Sequence, residues 1–386
     1  VPPAPRSFDK QMQLSLAAYH GLIRSEQGGW YHAVVPGQSG SGGWFADHAS
    51  ALWRITGRVP QTPQLAYGGA HVGNSASYFV TGRAAQWLQT VNDQAQQLIR
   101  GQQPDGSYHY DGPYRRGHFE DTANGICARP AFVLLEHARC TGNQESLAAG
   151  LKTLEYMKRF RTPRGAQTWE IPLHTPDILA SAYLVWAYVC GYELTGDKQW
   201  LDEARRWALT GLPFVYQWSN QPIMLYATTP VYGATAWKAP NWMGLPVQWC
   251  GTVYAYALLL LVPHDTTLDW RQVAEGILVA GEQMQYPEGP SQGCLPDVFH
   301  LASQKRLPAD INPGALVSLR LRLAGKLDAL AVATEGNRRV VAPFPVKIRD
   351  GQARIDATAG TTYQVVLDGR RVVEVQSQGQ DVIPLD

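Results

Sequence analysis

The sequence has little of what marks metal proteins, disulfide-stapled proteins or nucleic-acid binders. It contains five cysteines with no CxxC spacing, and four of them lie in apolar runs that read as helices. We therefore expect buried free thiols, with neither a metal site nor a disulfide framework. The net charge is +1 and basic residues form no run, so the sequence predicts no nucleic-acid partner.

Long apolar segments and cofactor motifs are also missing. The run Val253–Val262 is too short to span a bilayer, so we expect no membrane partner. The Gly-rich stretch 37–43 lacks the Lys-Ser/Thr of a phosphate-binding loop, and we expect no cofactor. Because the chain begins at Val1 rather than Met, we expect an upstream export signal or domain and a periplasmic or secreted location.

What the sequence does contain is a recurring helical hairpin. An apolar helix ends at Thr-Gly, and a second helix begins two or three residues later. Glycine just after a helix relieves left-handed strain, so these turns are credible C-caps. The four copies are Thr56-Gly57-Arg58, Thr81-Gly82-Arg83, Thr141-Gly142-Asn143 and Thr195-Gly196-Asp197.

The two helices of each hairpin differ in character. Those before the caps are apolar on nearly all sides, as in 180–189, whereas those after them have a polar face, as in 200–209. Helices of the first kind are buried and helices of the second kind lie at the surface. The alternation predicts a mainly α fold, an (α/α) toroid of five or six hairpins, over residues 1–310.

From Ile311 onward the pattern changes to one typical of strands. Val317–Leu323 alternates with period two, which predicts a half-buried strand. Asp350-Gly351 and Asp368-Gly369 predict hairpin turns. We therefore expect residues 311–386 to form a small antiparallel β-sandwich domain that supports the toroid.

The connections into the inner helices are long, and they indicate where a site would lie. In a toroid these connections all emerge at one edge, and long loops in compact domains are usually functional. We therefore expect a cleft at the N-terminal ends of the inner helices. The five loops are 27–46, 101–119, 161–176, 216–247 and 285–312.

The loop before the inner helix at Ile178 is the richest in chemistry. Pro172 keeps Glu170 out of a helix, so we predict that Glu170 is a catalytic acid or base. His174 is predicted to orient Glu170, to act as a base or to bind a hydroxyl, and a structural role is an equal alternative. Asp177 is placed to cap the helix. Trp169, Arg164 and Asp177 are our predicted substrate contacts on this loop.

The preceding loop supplies a second set of ionisable groups. Glu120 and Asp121 come just before an inner helix, and we expect one of them to cap it while the other acts in catalysis. Further predicted substrate contacts are Tyr108, Tyr110, Arg115, Arg116 and His118 on this loop, and Trp237, Lys238, Trp242 and His300 on later ones. Converging cations would suit the carboxylate of a uronic acid.

Three motifs give the chain a family resemblance: the Thr-Gly-Asp-type caps, the turn 102–108 (QQPDGSY) and the segment 169–174 (WEIPLH). On these the chain resembles the six-hairpin glycosidases and the related toroidal polysaccharide lyases over roughly residues 8–300. It is also similar to bacterial β-glucuronidase-type glycoside hydrolases. The resemblance implies a toroidal fold and a carbohydrate substrate.

Three functions remain open on these residues. The first is a glycoside hydrolase acting on a uronic acid-containing oligo- or polysaccharide, with Glu170 paired with Glu120 or Asp121. The second is a polysaccharide lyase that uses a Tyr or His base and a cation that neutralises the uronate. The third is a glycan-binding protein without catalysis.

Overall fold

The computed structural model describes residues 1–37, 42–73, 75–113, 120–169, 171–217, 225–231 and 244–385. Helices dominate the first part of the chain. They are α1 (Phe8–His20), α2 (Ala46–Thr56), α3 (Ala76–Val80), α4 (Ala84–Gly101), α5 (Asn124–Thr141), α6 (Gln144–Met157), α7 (Ile178–Thr195), α8 (Lys198–Gly211), α9 (Gln248–Leu261), α10 (Trp270–Met284) and α11 (Gly314–Leu323).

Six of these helices form an inner ring. In packing order they are α5, α7, α9, α11, α2 and α3, and α4 packs against both α3 and α5 at the two ends. The amphipathic helices α1, α6, α8 and α10 pack outside. The predicted inner and outer rings are confirmed for the described residues.

α7 shows why the ring holds together. It is apolar all round, and most of its residues are buried against α5, α8 and α9. By length and composition it could cross a membrane, which the sequence reading overlooked, but 72% of it is buried inside the molecule. We therefore assign it to the core of the toroid.

The predicted glycine caps are confirmed at three inner helices, but the second helix expected two or three residues after Thr56-Gly57 is wrong, because the next helix begins only at Ala76. Gly57, Gly142 and Gly196 follow α2, α5 and α7 in the left-handed conformation, and each N–H bonds the carbonyl four residues back. The prediction of buried free thiols is also confirmed, since all five cysteines are free and buried.

The predicted strand Val317–Leu323 is wrong, because these residues lie in α11. Leu and Arg favour helices, and so short an alternating run does not distinguish the two structures. In the helix, Leu316 and Leu319 join one hydrophobic cluster, while Val317 and Leu321 join another. α11 is the sixth inner helix, and we propose a domain boundary after it in place of one between residues 310 and 311.

Strands follow α11 in two antiparallel sheets. β4 (Ala331–Glu335), β5 (Arg338–Ala342), β8 (Thr362–Leu367) and β9 (Arg371–Gln376) form one sheet, and β6 (Val346–Arg349), β7 (Gln352–Asp356) and β10 (Gln380–Pro384) form the other. Both predicted Asp-Gly hairpin turns are confirmed. The two sheets contribute to one hydrophobic cluster, while the sandwich itself stays a prediction.

A third small sheet lies among the long loops. It has the order β1 (Ala33–Val34), β3 (Lys305–Ile311) and β2 (Leu295–His300), so it joins the loop before α2 to the loop before α11.

Candidate functional site

The long loops meet at one edge of the ring, which we call the mouth. Backbone hydrogen bonds of 2.9–3.2 Å link four of the five loops to a neighbouring loop or helix start. They run from Gly125 to Arg164, from Ile178 to Pro230, from Val247 to Thr228, from Phe299 to Pro246 and from Asn312 to His32. The prediction of a common edge is therefore confirmed for these segments.

Glu120, Arg164 and His174 form a charged cluster at the mouth. The guanidinium of Arg164 forms an ion pair with Glu120 and donates a 2.8 Å hydrogen bond to Nδ1 of His174. Because a guanidinium only donates, Nδ1 accepts and Nε2 carries the proton. Half of the Glu120 side chain is exposed, against 11% for Arg164. The cluster thus presents a fixed carboxylate to solvent.

The start of α5 holds Arg164 in place. The backbone N–H of Arg164 donates to the side-chain oxygen of Asn124 at 3.0 Å, and the backbone carbonyl of Arg164 accepts the N–H of Gly125 at 2.9 Å. A Cβ on Gly125 would lie 2.5 Å from the backbone nitrogen of Ala166, so only glycine allows this close approach. The sequence reading did not identify this contact.

Asp177 caps α7 as predicted. Its carboxylate accepts the N–H groups of Ala180 at 2.7 Å and Ala166 at 3.1 Å. Burial raises the pKa of Asp177 to about 7, against the opposing effect of these hydrogen bonds. Because the side chain is completely buried, its place is behind the mouth rather than on the substrate surface we predicted.

The expectation that Glu120 or Asp121 caps α5 is wrong. The cap position is Ala123, which has no side-chain hydrogen bond. Asp121 instead lies 2.9 Å from Nδ1 of His109, and its carbonyl accepts the N–H of Tyr110. These contacts hold the base of the loop that carries Glu120.

The two predicted tyrosines of this loop serve its structure. Tyr108 is buried and its hydroxyl donates to the carbonyl of Leu98 at 3.0 Å, so it is not available as the predicted substrate contact. The hydroxyl of Tyr110 donates to the carbonyl of Thr168 at 3.0 Å. Tyr110 thus ties its loop to the one that carries Trp169.

Trp169, which lies on the same loop as Arg164 and His174, forms an aromatic column with His71 and Trp249. The centroid of the His71 ring lies 4.2 Å from that of Trp249 and 6.4 Å from that of Trp169, and both pairs are stacked. Trp169 is 47% exposed, as an aromatic sugar contact requires. The indole of Trp249 donates to Asp297 at 2.9 Å.

His71 is a member of the column that the sequence did not indicate as a site residue. Its only signal is the stretch Gly68-Gly69-Ala70 before it, which breaks any helix. Burial above all, and then His32 and Arg129, lower the pKa of His71 to about 3. The ring is therefore neutral and serves as a stacking surface rather than a charge.

The remaining predicted residues are placed as follows. His300 ends β2, and its Nδ1 lies 2.6 Å from the hydroxyl of Ser303 within the same hairpin. Among the described residues, no group of three or more His, Cys, Asp or Glu side chains could hold a metal ion. Predicted residues outside the described ranges are Glu170, Arg115, Arg116, His118, Trp237, Lys238 and Trp242.

Comparisons with known proteins concern the fold. No family model and no curated protein matches the chain. It is similar to a solved unsaturated glucuronyl hydrolase from Bacillus sp. GL1, with 13% identity, a TM-score of 0.51 and coverage of 82% of this chain and 94% of that one.

Two further structures are similar to the same extent. An unsaturated glucuronyl hydrolase specific for heparin has 15% identity, a TM-score of 0.52 and coverage of 82% and 95%. One from Streptococcus agalactiae has 8% identity, a TM-score of 0.52 and coverage of 85% and 94%. The resemblance drawn from the sequence is thus confirmed at the level of the fold, and the chain has the (α/α)-toroid fold of these solved structures.

Proposed function

We propose that the protein is a glycoside hydrolase that cleaves a uronic acid-containing oligo- or polysaccharide at the mouth. The observation that carries this proposal is the exposed carboxylate of Glu120, held by Arg164 and His174 of the loop that also carries the exposed ring of Trp169. We expect a sugar stacked on Trp169 to reach this carboxylate of defined orientation.

Glycosidases need one ionised and one protonated carboxyl group. Glu120 suits the ionised role, because the positive charge of Arg164 faces it. We assign the acid to Glu170, which follows Trp169 in sequence. Asp121 suits either role less well, because it is engaged with His109. His174 would donate its Nε2 proton to a sugar hydroxyl.

The structural neighbours agree with this assignment without establishing it. Those named above are unsaturated glucuronyl hydrolases, and an acidic sugar is also what the cations of the mouth would suit. Identities of 8–15% support the fold, and the substrate depends on the residues at the mouth.

Replacing either acid tests the mechanism. Glu120→Gln and Glu170→Gln should each lower kcat on an acidic oligosaccharide by about 10²–10⁴-fold, because each removes a proton-transferring or charge-stabilising group. Release of reducing ends measures the effect. Glu275→Gln, on the exposed face of α10, is the matched control and should keep full activity. Full activity of both mouth variants would remove these residues from the mechanism.

Lyase chemistry is the second candidate, since Arg164 and His174 lie side by side near Tyr110. Against it, Nδ1 of His174 accepts from Arg164 and the hydroxyl of Tyr110 donates to Thr168, so neither group is poised as a base. A product absorbing in the near ultraviolet would establish the lyase. Glycan binding without any product would indicate a binding protein.

A further inference from the structure

Arg129 is a cation on an inner helix that no described residue neutralises. It lies in the second turn of α5 and its side chain is exposed, although α5 is packed between other helices. Within the part of the chain that the structure describes, Arg129 has no hydrogen-bond or ion-pair partner. By contrast, Arg164 at the mouth is engaged with Glu120 and His174.

The exposed side of α5 faces the axis of the ring. Its incompletely buried residues include Ile126, Arg129, Phe132 and Glu136, a spacing of three to four residues that defines one face of a helix. Phe132 on this face stacks on Trp186 of α7, with ring centroids 4.8 Å apart. Arg129 is therefore exposed to the inside of the toroid rather than to its outer surface.

Arg129 is close enough to the aromatic column for its charge to act on His71. It acts electrostatically on Tyr183 of α7 as well. Neither neighbour carries a negative charge, since His71 is neutral and burial raises the pKa of Tyr183 to about 12. Among the described residues, the guanidinium thus has no counter-charge, and its field reaches a stacking surface for sugars.

We propose that Arg129 binds the anionic substituent of a sugar that stacks on Trp169, and so selects acidic over neutral glycans. This inference rests on the proposed function. A planar guanidinium matches a carboxylate through two parallel hydrogen bonds, which a neutral hydroxymethyl group cannot accept in the same way. The same site would also attract a sulfate, so both anions belong in the test.

A second feature of this helix face fits a polar ligand. Pro130 follows Arg129 inside α5 and has no N–H to donate to the carbonyl of Ile126. Next to the guanidinium donor, the helix therefore offers a backbone oxygen that lacks its usual partner. A sugar hydroxyl adjacent to the acidic group is the kind of donor that would fill this position.

The test is a binding titration by saturation-transfer NMR, which does not depend on turnover. The probes are glucuronate and galacturonate, their neutral counterparts glucose and galactose, and glucose 6-sulfate. Arg129→Gln should weaken uronate binding roughly 10- to 100-fold, as expected for losing a charge-assisted bidentate contact, and leave neutral sugars unchanged. Arg129→Lys keeps the charge but lacks the planar guanidinium. Its affinity for uronates should therefore lie between those of the wild type and Arg129→Gln. Arg100→Gln, at the exposed end of the outer helix α4, is the charge-matched control.

The outcomes separate this inference from the hydrolase assignment. Unchanged uronate binding in Arg129→Gln, or no uronate binding by the wild type, overturns the role of Arg129. Hydrolysis that still depends on Glu120 would then leave the proposed function standing. Loss of uronate binding in a protein that cleaves no glycan would support the role of Arg129 and contradict the hydrolase.

A stronger loss for glucose 6-sulfate than for uronates would identify sulfate as the anion. Should Arg129→Gln fail to fold, Arg129→Lys decides.

Discussion

The two edges of the toroid are formed by the same helices but differ in the partners that their polar groups bond. At the far edge, opposite the mouth, the inner helices α2, α5 and α7 end at Thr-Gly, and each threonine hydroxyl donates a hydrogen bond to a carbonyl of its own helix. The pairs are Thr56 with Leu52, Thr141 with His137 and Thr195 with Gly191. At the mouth, by contrast, Arg164 bonds groups on two other segments. The polar groups of the short turns bond within their own helices, whereas the long loops present charged groups that a ligand can contact.

A cavity at the far edge makes the same point. It has a volume of about 340 Å³ and lies between the α3–α4 turn and β8. Its arginine, Arg83, already bonds the carbonyl of Thr62 at 2.7 Å, and Gln364 accepts the N–H of Ala84 at 2.9 Å. The volume of a cavity alone therefore does not identify the functional region. Exposed charged groups that are held in a fixed geometry identify it.

Among the residues of the mouth, Asp177 should have the largest effect on the free energy of unfolding. Its folded pKa is raised to about 7, while the unfolded chain releases this proton near pH 4. Between these values the unfolded state binds fewer protons, so the free energy of unfolding falls as pH rises, by about 4 kcal/mol across the window. Asp177→Asn does not titrate and should lack this fall.

Urea denaturation of wild type and Asp177→Asn at pH 4 to 8 measures the effect. The difference between the two curves is what counts, because the lowered pKa values of His48 and His71 make stability rise with pH up to about 6.5 in both proteins. A difference independent of pH would show that Asp177 is ionised in the fold.

Arg164 tests whether the mouth depends on one cation. Arg164→Met should lower kcat about 100-fold, because Glu120 and His174 lose the group that orients them. Arg206→Met breaks a similar pair with Glu203 on the outer helix α8 and should leave turnover unchanged. Equal effects of the two variants would mean that activity reports general stability and that the edges do not differ.

Two glycines give the smallest and most direct contrast between the edges. Gly196→Ala places a side chain at φ 70° in open space, so it should cost about 1 kcal/mol of unfolding free energy and leave kcat unchanged. Gly125→Ala would push on the Arg164 segment and should reduce kcat as well. Thermal unfolding and initial rates of both variants decide. Reduced kcat in Gly196→Ala would contradict the separation of the two edges.

How much the sequence reveals depends on the range of the interactions. The glycine caps and the Asp177 cap were predictable, because each is fixed by residues within one turn of a helix. α11 was not, since its place in the ring depends on contacts with α2 and α9, which lie far away in sequence. The same holds for His71, which joins the site through Trp169 and Trp249.

The charged residues show the same limit. Glu120 was found because it precedes a helix, yet its ion pair with Arg164 was not foreseen. Arg129 lies within an apolar helix, where a lone cation reads as an exception. Its exposure follows from the opening along the ring axis, which exists only once the six helices have assembled.

A crystal structure of the Glu120→Gln variant with an acidic oligosaccharide tests the central claim most directly. We predict a sugar ring stacked on Trp169, with the scissile oxygen within hydrogen-bonding distance of Glu170 and the anomeric carbon facing the side chain at position 120. A glycan bound at the far edge would contradict the account. So would a glycan bound at the mouth with these two side chains on opposite sides of the toroid.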